Sequence, residues 1–524
     1  MNKRYGSILI IIVTIFVLCF VGIASASTWS VDGSGGADFT GIQDAINNAS
    51  DGDTIIVHSG VYYENVYVNI SLTLKGIDHP VVDARRCGKS VVTLSADGIT
   101  VEGFNVTKGS WEGAGITISS SNNTLTGNTV CHNNKEGIAL LSSSNNNLTD
   151  NNISNNVCGI FLWHSSNNNT ISGNNVNNNE GGINLWHSSN NNSISGNNVC
   201  NNEEGIDLRH FNNNNTITGN NVSNNNMGGI SLDDSSNNNT IAGNNVSNNG
   251  GGIILDDSSN NNITGNNISN NKYCGILFDG SNNTITGNTF VNSGLFVIEA
   301  YQNTVEDNIV NGKPLVYLEN VSAYKVEDAG QVILVNCSKI TVENLDISNT
   351  SVGIILWGTE DSIISNNTVS NNNIGGILLG TSSNNTITGN NVINNDWSGI
   401  IHSYSSNNTI TGNNVSNNGR DGIHLHYSSN NKIYFNNFIN NTDTVFSSKS
   451  TNIWNSPEEI TYTYDGTTYE SYLGNYGDDY EGTDADGDGI GDTHYSIDSE
   501  KDESDEYPLM KPYENYNIST SAPA

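Results

Sequence analysis

Gly229–Asn249 reads Gly-Ile-Ser-Leu-Asp-Asp-Ser-Ser-Asn-Asn-Asn-Thr-Ile-Ala-Gly-Asn-Asn-Val-Ser-Asn-Asn. The same pattern, lightly edited, recurs along most of the chain. Its opening Gly-Ile stands at Gly115, Gly137, Gly159, Gly182, Gly205, Gly229, Gly252 and Gly275, and again at Gly353, Gly376, Gly399 and Gly422. Within each run neighbouring copies lie 22 to 24 residues apart. A fixed period of this size marks a solenoid.

Inside one copy the apolar residues alternate in short sets: Ile230 and Leu232, then Ile241, then Val246. A period of two indicates strands, and no 3.6-residue apolar period spans a repeat. Asn, Ser and Gly bound each strand, and these residues favour turns. One such coil cannot bury its inward side chains alone. Coils stacked at about 4.8 Å, the normal strand spacing, can. The prediction is an all-β parallel β-helix, a single tube of roughly 17 coils about 80 Å long. Asn123, Asn146, Asn169, Asn192, Asn215 and Asn239 then form one column, and Asn128, Asn151, Asn174, Asn197, Asn220 and Asn244 another. Stacked amides can hydrogen-bond along such columns. A leucine-rich repeat has an overlapping period, but the return segment Asn-Asn-Val-Ser-Asn-Asn is a poor helix former.

The 524 residues include only 6 Pro and carry a formal net charge of −35. That balance excludes nucleic acid as a natural partner, since phosphate binding needs a basic face, and favours cations. Met1–Ala26 reads as a signal peptide: Lys3 and Arg4, the apolar run Ile8–Ile23, then Ala24-Ser25-Ala26. The run is long enough to serve instead as an uncleaved membrane anchor. Either way the protein is expected outside the cell or on its surface. Six cysteines remain beyond it: Cys87, Cys131, Cys158, Cys200, Cys274 and Cys337. Same-column cysteines fall several coils apart, beyond disulfide reach, so unpaired thiols are expected.

Along the chain, residues 27–114 form an N-terminal cap and first coils. The pattern Ile42, Ala45, Ile46 and Ala49 predicts one short amphipathic capping helix. Regular repeats fill 115–294 and 353–446, separated by irregular coils at 295–352. Residues 447–513 are aromatic and acidic, an irregular C-terminal cap, and 514–524 are a tail.

Asp38-Phe-Thr-Gly-Ile-Gln-Asp-Ala-Ile46 followed by Gly52-Asp-Thr-Ile-Ile-Val57 resembles the opening of pectin-lyase-like right-handed β-helices. Asn311-Gly-Lys-Pro-Leu-Val-Tyr317, Gly330-Gln-Val-Ile-Leu-Val-Asn-Cys337 and the acidic stretch Asp484–Asp492 resemble NosD-type β-helix proteins. That family is named for a periplasmic factor that helps supply copper to nitrous oxide reductase. Its surface-protein branch carries carbohydrate-binding and sugar-hydrolase repeats, and the many repeats here fit that branch better. The resemblance implies a right-handed coil and a glycan or copper connection.

Three residue sets are candidates for chemistry. Asp484, Asp486, Asp488 and Asp492, with Gly489 at the turn, are spaced as calcium ligands, although Tyr495 replaces the closing Glu of an EF-hand. Repeat register places His164, His187, His210, Asp234 and Asp257 in one column, a candidate for copper or another cation. The adjoining column holds Trp163, Trp186, Asp233, Asp256 and Asp279, a candidate carbohydrate surface with the tryptophans stacked as a platform. Duplication alone would also copy these residues from coil to coil. No catalytic residues are assigned. The expected role is a surface structural or carbohydrate-binding module facing polysaccharide or envelope glycan. Copper handling is the alternative, and a polysaccharide lyase or hydrolase the third.

Overall fold

The computed structural model describes residues 26–498 and 503–518. All of the expected leader except Ala26 lies outside them. No helix among the described residues is long and apolar enough to cross a membrane.

Each repeat folds into three strands. In the opening stretch these are Gly228–Asp233, Thr240–Ala242 and Asn245–Ser247. Equivalent strands of successive coils pair in parallel, which builds three faces, here the first, second and third. The solenoid has about 18 turns. Inward residues stack in register: Ile206 on Ile230, Leu208 on Leu232, Ile217 on Ile241 and Val222 on Val246, all essentially inaccessible.

The turns depend on residues that accept a left-handed backbone. Asp234, Ser235, Asn238 and Asn248 take φ of 52°, 62°, 58° and 56°. Asn and Asp carry this conformation at low cost. The Gly of Gly-Ile has a different reason. A Cβ on Gly229 would lie 2.7 Å from the carbonyl oxygen of Gly252 in the next coil.

The two asparagine columns form as ladders. The Asn244 amide oxygen accepts from Asn220 N at 2.9 Å and Asn220 Nδ2 at 3.0 Å, while Asn244 Nδ2 donates to Ile217 O at 2.9 Å. A third ladder, unanticipated from sequence, runs through Asn133, Asn156, Asn179, Asn202, Asn225, Asn249 and Asn271. Buried amides satisfied in this way rigidify the tube.

The single continuous tube does not hold. Ile309–Val310 is followed by the two-residue turn Asn311-Gly312, with φ of 51° and 83°, and Lys313–Glu319 returns antiparallel. That is the geometry of a tight β-hairpin. The third face of the first stack therefore continues as the first face of a second stack, with strand direction reversed. The core changes sides of the sheet. Val332, Leu334, Ile354 and Leu356 face the second core, while Ile333, Val335, Ile355 and Trp357 join the cluster of the first. Gln331 closes the exposed edge of the first stack: its Oε1 accepts from Leu295 N at 2.9 Å, and its Nε2 donates to Leu295 O at 2.7 Å. The physical reason is the open solenoid end, whose apolar core must be covered.

The N-terminal helix is Ile42–Asn48, with Ile42, Ala45 and Ile46 buried; Ala49 is its C-cap and only packs from the edge. At the other end Trp454, Tyr462, Tyr464, Leu473 and Leu509 form the buried part of the cap. All six cysteines beyond the leader are free.

Candidate functional site

In each Gly-Ile-x-Leu-x strand of the first face, the two x positions point outward. The central outward column runs Phe161, Asn184, Asp207, Ser231, and the edge column Trp163, Trp186, Arg209, Asp233. Gly181, opposite Cys158 and Glu204, leaves the surface low here: a Cβ on it would meet the Asn184 amide at 2.8 Å. The result is a groove of about 410 Å³. Phe161, Asn184, Trp186 and Arg209 line it on one side, and Glu180, Glu203 and Glu204 on the other.

Arg209 anchors the groove. Its Nη2 reaches Glu204 Oε1 at 2.7 Å, and its Nε lies 2.9 Å from Asp207 Oδ2 and 3.4 Å from Asp233 Oδ2. Trp186 Nε1 donates to Asp207 Oδ2 at 3.2 Å. Burial pushes the Asp207 carboxyl up to about 7, against the pull of Arg209, and burial pushes Asp233 up to about 6. Asn184 is 5% exposed, and its Oδ1 is buried with no hydrogen-bond partner.

The predicted tryptophan platform takes another form. Trp163 lies on His164 at 4.2 Å, and Trp186 meets Phe161 edge-on at 5.2 Å, so the ring contacts do not join the two indoles to each other. Asp233 belongs to the Arg209 network. Asp256 and Asp279 sit farther along, where Asp279 Oδ1 accepts from Asp257 N at 2.7 Å. Burial, then the charge of Asp256, raises the Asp279 carboxyl above its ordinary value.

His164, His187 and His210 do form a column, with ring centroids 5.1 and 4.8 Å apart and planes 20° and 11° from parallel. His210 Nδ1 lies 3.0 Å from Asp234 Oδ2. Imidazole lone pairs lie in the ring plane, so stacked rings aim them side by side rather than at one ion. These residues as placed do not fit a shared copper centre.

The acidic loop is better shaped for an ion. Asp484, Asp486 and Asp488 bring carboxylate oxygens within 4.8 Å of one another, the group among the described residues with metal-ligand spacing. Asp484 accepts from Gly487 N at 2.7 Å and Gly489 N at 2.9 Å, and Tyr462 and Tyr469 hydroxyls hold the Asp488 and Gly487 carbonyls. Asp492 is not in the cluster; its Oδ2 accepts from Ala485 N at 2.9 Å. A hard oxygen set of this kind suits calcium.

Sequence reasoning missed Phe161, Asn184, Asp207 and the Glu180–Glu203 rim. The signal was available in the repeat register, as the residue between the two inward ones and the pair preceding Gly-Ile.

The family model described as "Periplasmic copper-binding protein (NosD)" matches residues 46–225, 164–298 and 294–482. A cell surface glycoprotein of Methanothermus fervidus is 44% identical over 73 residues, which cover 14% of this chain and only 12% of that protein. Among solved structures, pectate lyase Pel9A has 16% identity and a TM-score of 0.38, covering 54% of this chain and 80% of that one. DFA-IIIase from Arthrobacter chlorophenolicus A6, without its lid, has 13% identity and a TM-score of 0.39, covering 65% and 94%. Three overlapping matches running from residue 46 to residue 482, on a parallel β-helix, place this chain in the NosD family of β-helix proteins.

Proposed function

We propose that this is an exported surface β-helix protein whose first stack binds glycan in the groove between Trp186 and the Glu180–Glu203 rim, with calcium bracing the C-terminal cap at Asp484, Asp486 and Asp488. The observation that carries the reading is the combination of aromatic side chains and convergent polar groups in one concave site, Phe161 and Trp186 beside Asn184, Glu204 and Arg209. Aromatic rings take the apolar faces of sugars, and the polar groups take hydroxyls. The surface glycoprotein relative is consistent with this placement. Display of the full chain on a glycan array tests it: binding that is lost in Trp186→Ala supports the groove, and no binding to any glycan removes it. No catalytic step is assigned.

Copper handling is the second reading, supported by the family's description. Isothermal titration with copper would favour it only if one ion bound tightly, and His187→Ala would show whether that ion needs the histidine column to rearrange from its stacked form.

A further inference from the structure

The groove has a sense. The polar groups it offers a ligand are mostly acceptors and negative charges. Glu180, Glu203 and Glu204 form one rim, and Asn184 presents a buried carbonyl oxygen that nothing in the protein satisfies. The donors are largely engaged, Trp186 Nε1 with Asp207, and Arg209 Nε and Nη2 with Asp207 and Glu204. An unsatisfied buried acceptor costs free energy until a donor arrives. A ligand that restores the balance must therefore bring N–H or O–H groups and positive charge.

A metal ion does not meet this description. The groove carboxylates do not gather their oxygens within chelating distance, since among the described residues only the Asp484 cluster does so. The charge has to be spread over an organic ligand. Trp186 and Phe161 favour a ligand with flat apolar faces, and an ammonium held near an indole gains further attraction.

We infer that the groove selects amino-sugar glycans with free amines and rejects polyuronates. This deepens the glycan reading above and rests on it. Uronate chains carry carboxylates, which would meet the Glu180–Glu203 rim with like charge. An N-acetylated sugar keeps the hydroxyl and amide donors but loses the charge, so it should bind more weakly than the free amine.

The test uses the full chain and three probes: glucosamine oligomers, their N-acetylated counterparts and oligogalacturonate, titrated at pH 6 in low and high salt. The expected order is free amine first, with N-acetylation costing about tenfold and added salt weakening the amine most. Glu180→Gln with Glu203→Gln should erase much of the preference, and Trp186→Ala should weaken both amino-sugar probes. If the N-acetylated oligomer binds as tightly as the amine, or oligogalacturonate more tightly, while Trp186→Ala still weakens binding, the selectivity is overturned and the glycan groove stands. If no probe binds, or binding ignores Trp186→Ala, both the selectivity and the glycan reading are overturned.

Discussion

Replacing His402 with leucine should stabilise the second stack, and more so in acid. His402 is an inward residue, fully buried, in register between Leu379 and Leu425 of the adjoining coils. Neither ring nitrogen has a hydrogen-bond partner. Burial drives its imidazole from 6.5 down to about 4. The unfolded chain therefore binds a proton near pH 6.5 while the folded chain resists until about pH 4. As pH falls through that window the unfolded state gains, and stability is lost. The gap converts to about 3 kcal/mol. A neutral buried histidine with unmet nitrogens already costs about 2 kcal/mol against a leucine of similar volume. His402→Leu should thus gain about 2 kcal/mol at pH 7 and about 5 kcal/mol at pH 4. Asp207 and Asp505, both pushed up to about 7 by burial, titrate in the opposite sense: folded and protonated, they favour the fold as pH falls from 7 toward 3.8. Both are present in parent and variant, so comparing the two cancels them. Solenoids open locally, so hydrogen exchange of Ser398–Ser403 at pH 7 and at pH 4 reads the effect at the site. A variant less protected than the parent at pH 7, or a gap that does not widen in acid, would refute the argument.

The asparagine ladders should be as costly to break as apolar core. Asn197→Ala removes the acceptor of Asn174 N and Nδ2 and the donor to Ile171 O, and should lower stability by about 3 kcal/mol; surface Asn198→Ala should stay within about 0.5 kcal/mol, both read by denaturant unfolding. Calcium titration of the full chain should find a site abolished by Asp484→Ala and retained in Asp492→Ala; retention in the first or loss in the second would contradict the cluster. Burial, then the charges of Asp486 and Asp484, raises the Asp488 carboxyl, so calcium binding should weaken as pH falls. Gln331→Ala strands the edge groups of Leu295 and the Val352 carbonyl, and should cost about 3 kcal/mol at the junction, visible as faster exchange of Leu295–Val297.

How much of this was legible in the sequence depends on whether a feature repeats. The coil register, the inward Ile and Leu columns and two of the asparagine ladders follow directly from a period near 23, and the coordinates place them as stacked. The His164–His187–His210 column was legible as a position, but not as ring orientation, which depends on the left-handed turn at each histidine. Asp484, Asp486 and Asp488 were legible because a loop that wraps one ion is local in sequence. Asp492 fell out because its oxygen serves Ala485 instead. Asn184 was invisible for the converse reason: an unsatisfied amide is defined by what fails to surround it.

The reversal at Asn311-Gly312 explains why equal repeats do not make equal sites. In the second stack the central outward column of the first face is Ile333, Ile355, Leu378 and Ile401, packed toward the first stack. At the end of the first stack the corresponding residues turn apolar too: Ile254, Leu277 and Phe296. Phe296, Leu378 and Ile401 come together along one cleft at the junction. Only where the first face is free of the other stack, around Phe161 to Ser231, does that column carry Asn184 and Asp207. The outward residue of Gly-Ile-x-Leu thus records which neighbour a coil has: apolar where stack meets stack, and polar at Asn184, Asp207 and Ser231, where the face is free of the other stack. A charge such as Leu378→Asp should then loosen the junction and leave the groove intact, whereas Asn184→Leu should spare the fold and remove the unpaired amide oxygen from the groove.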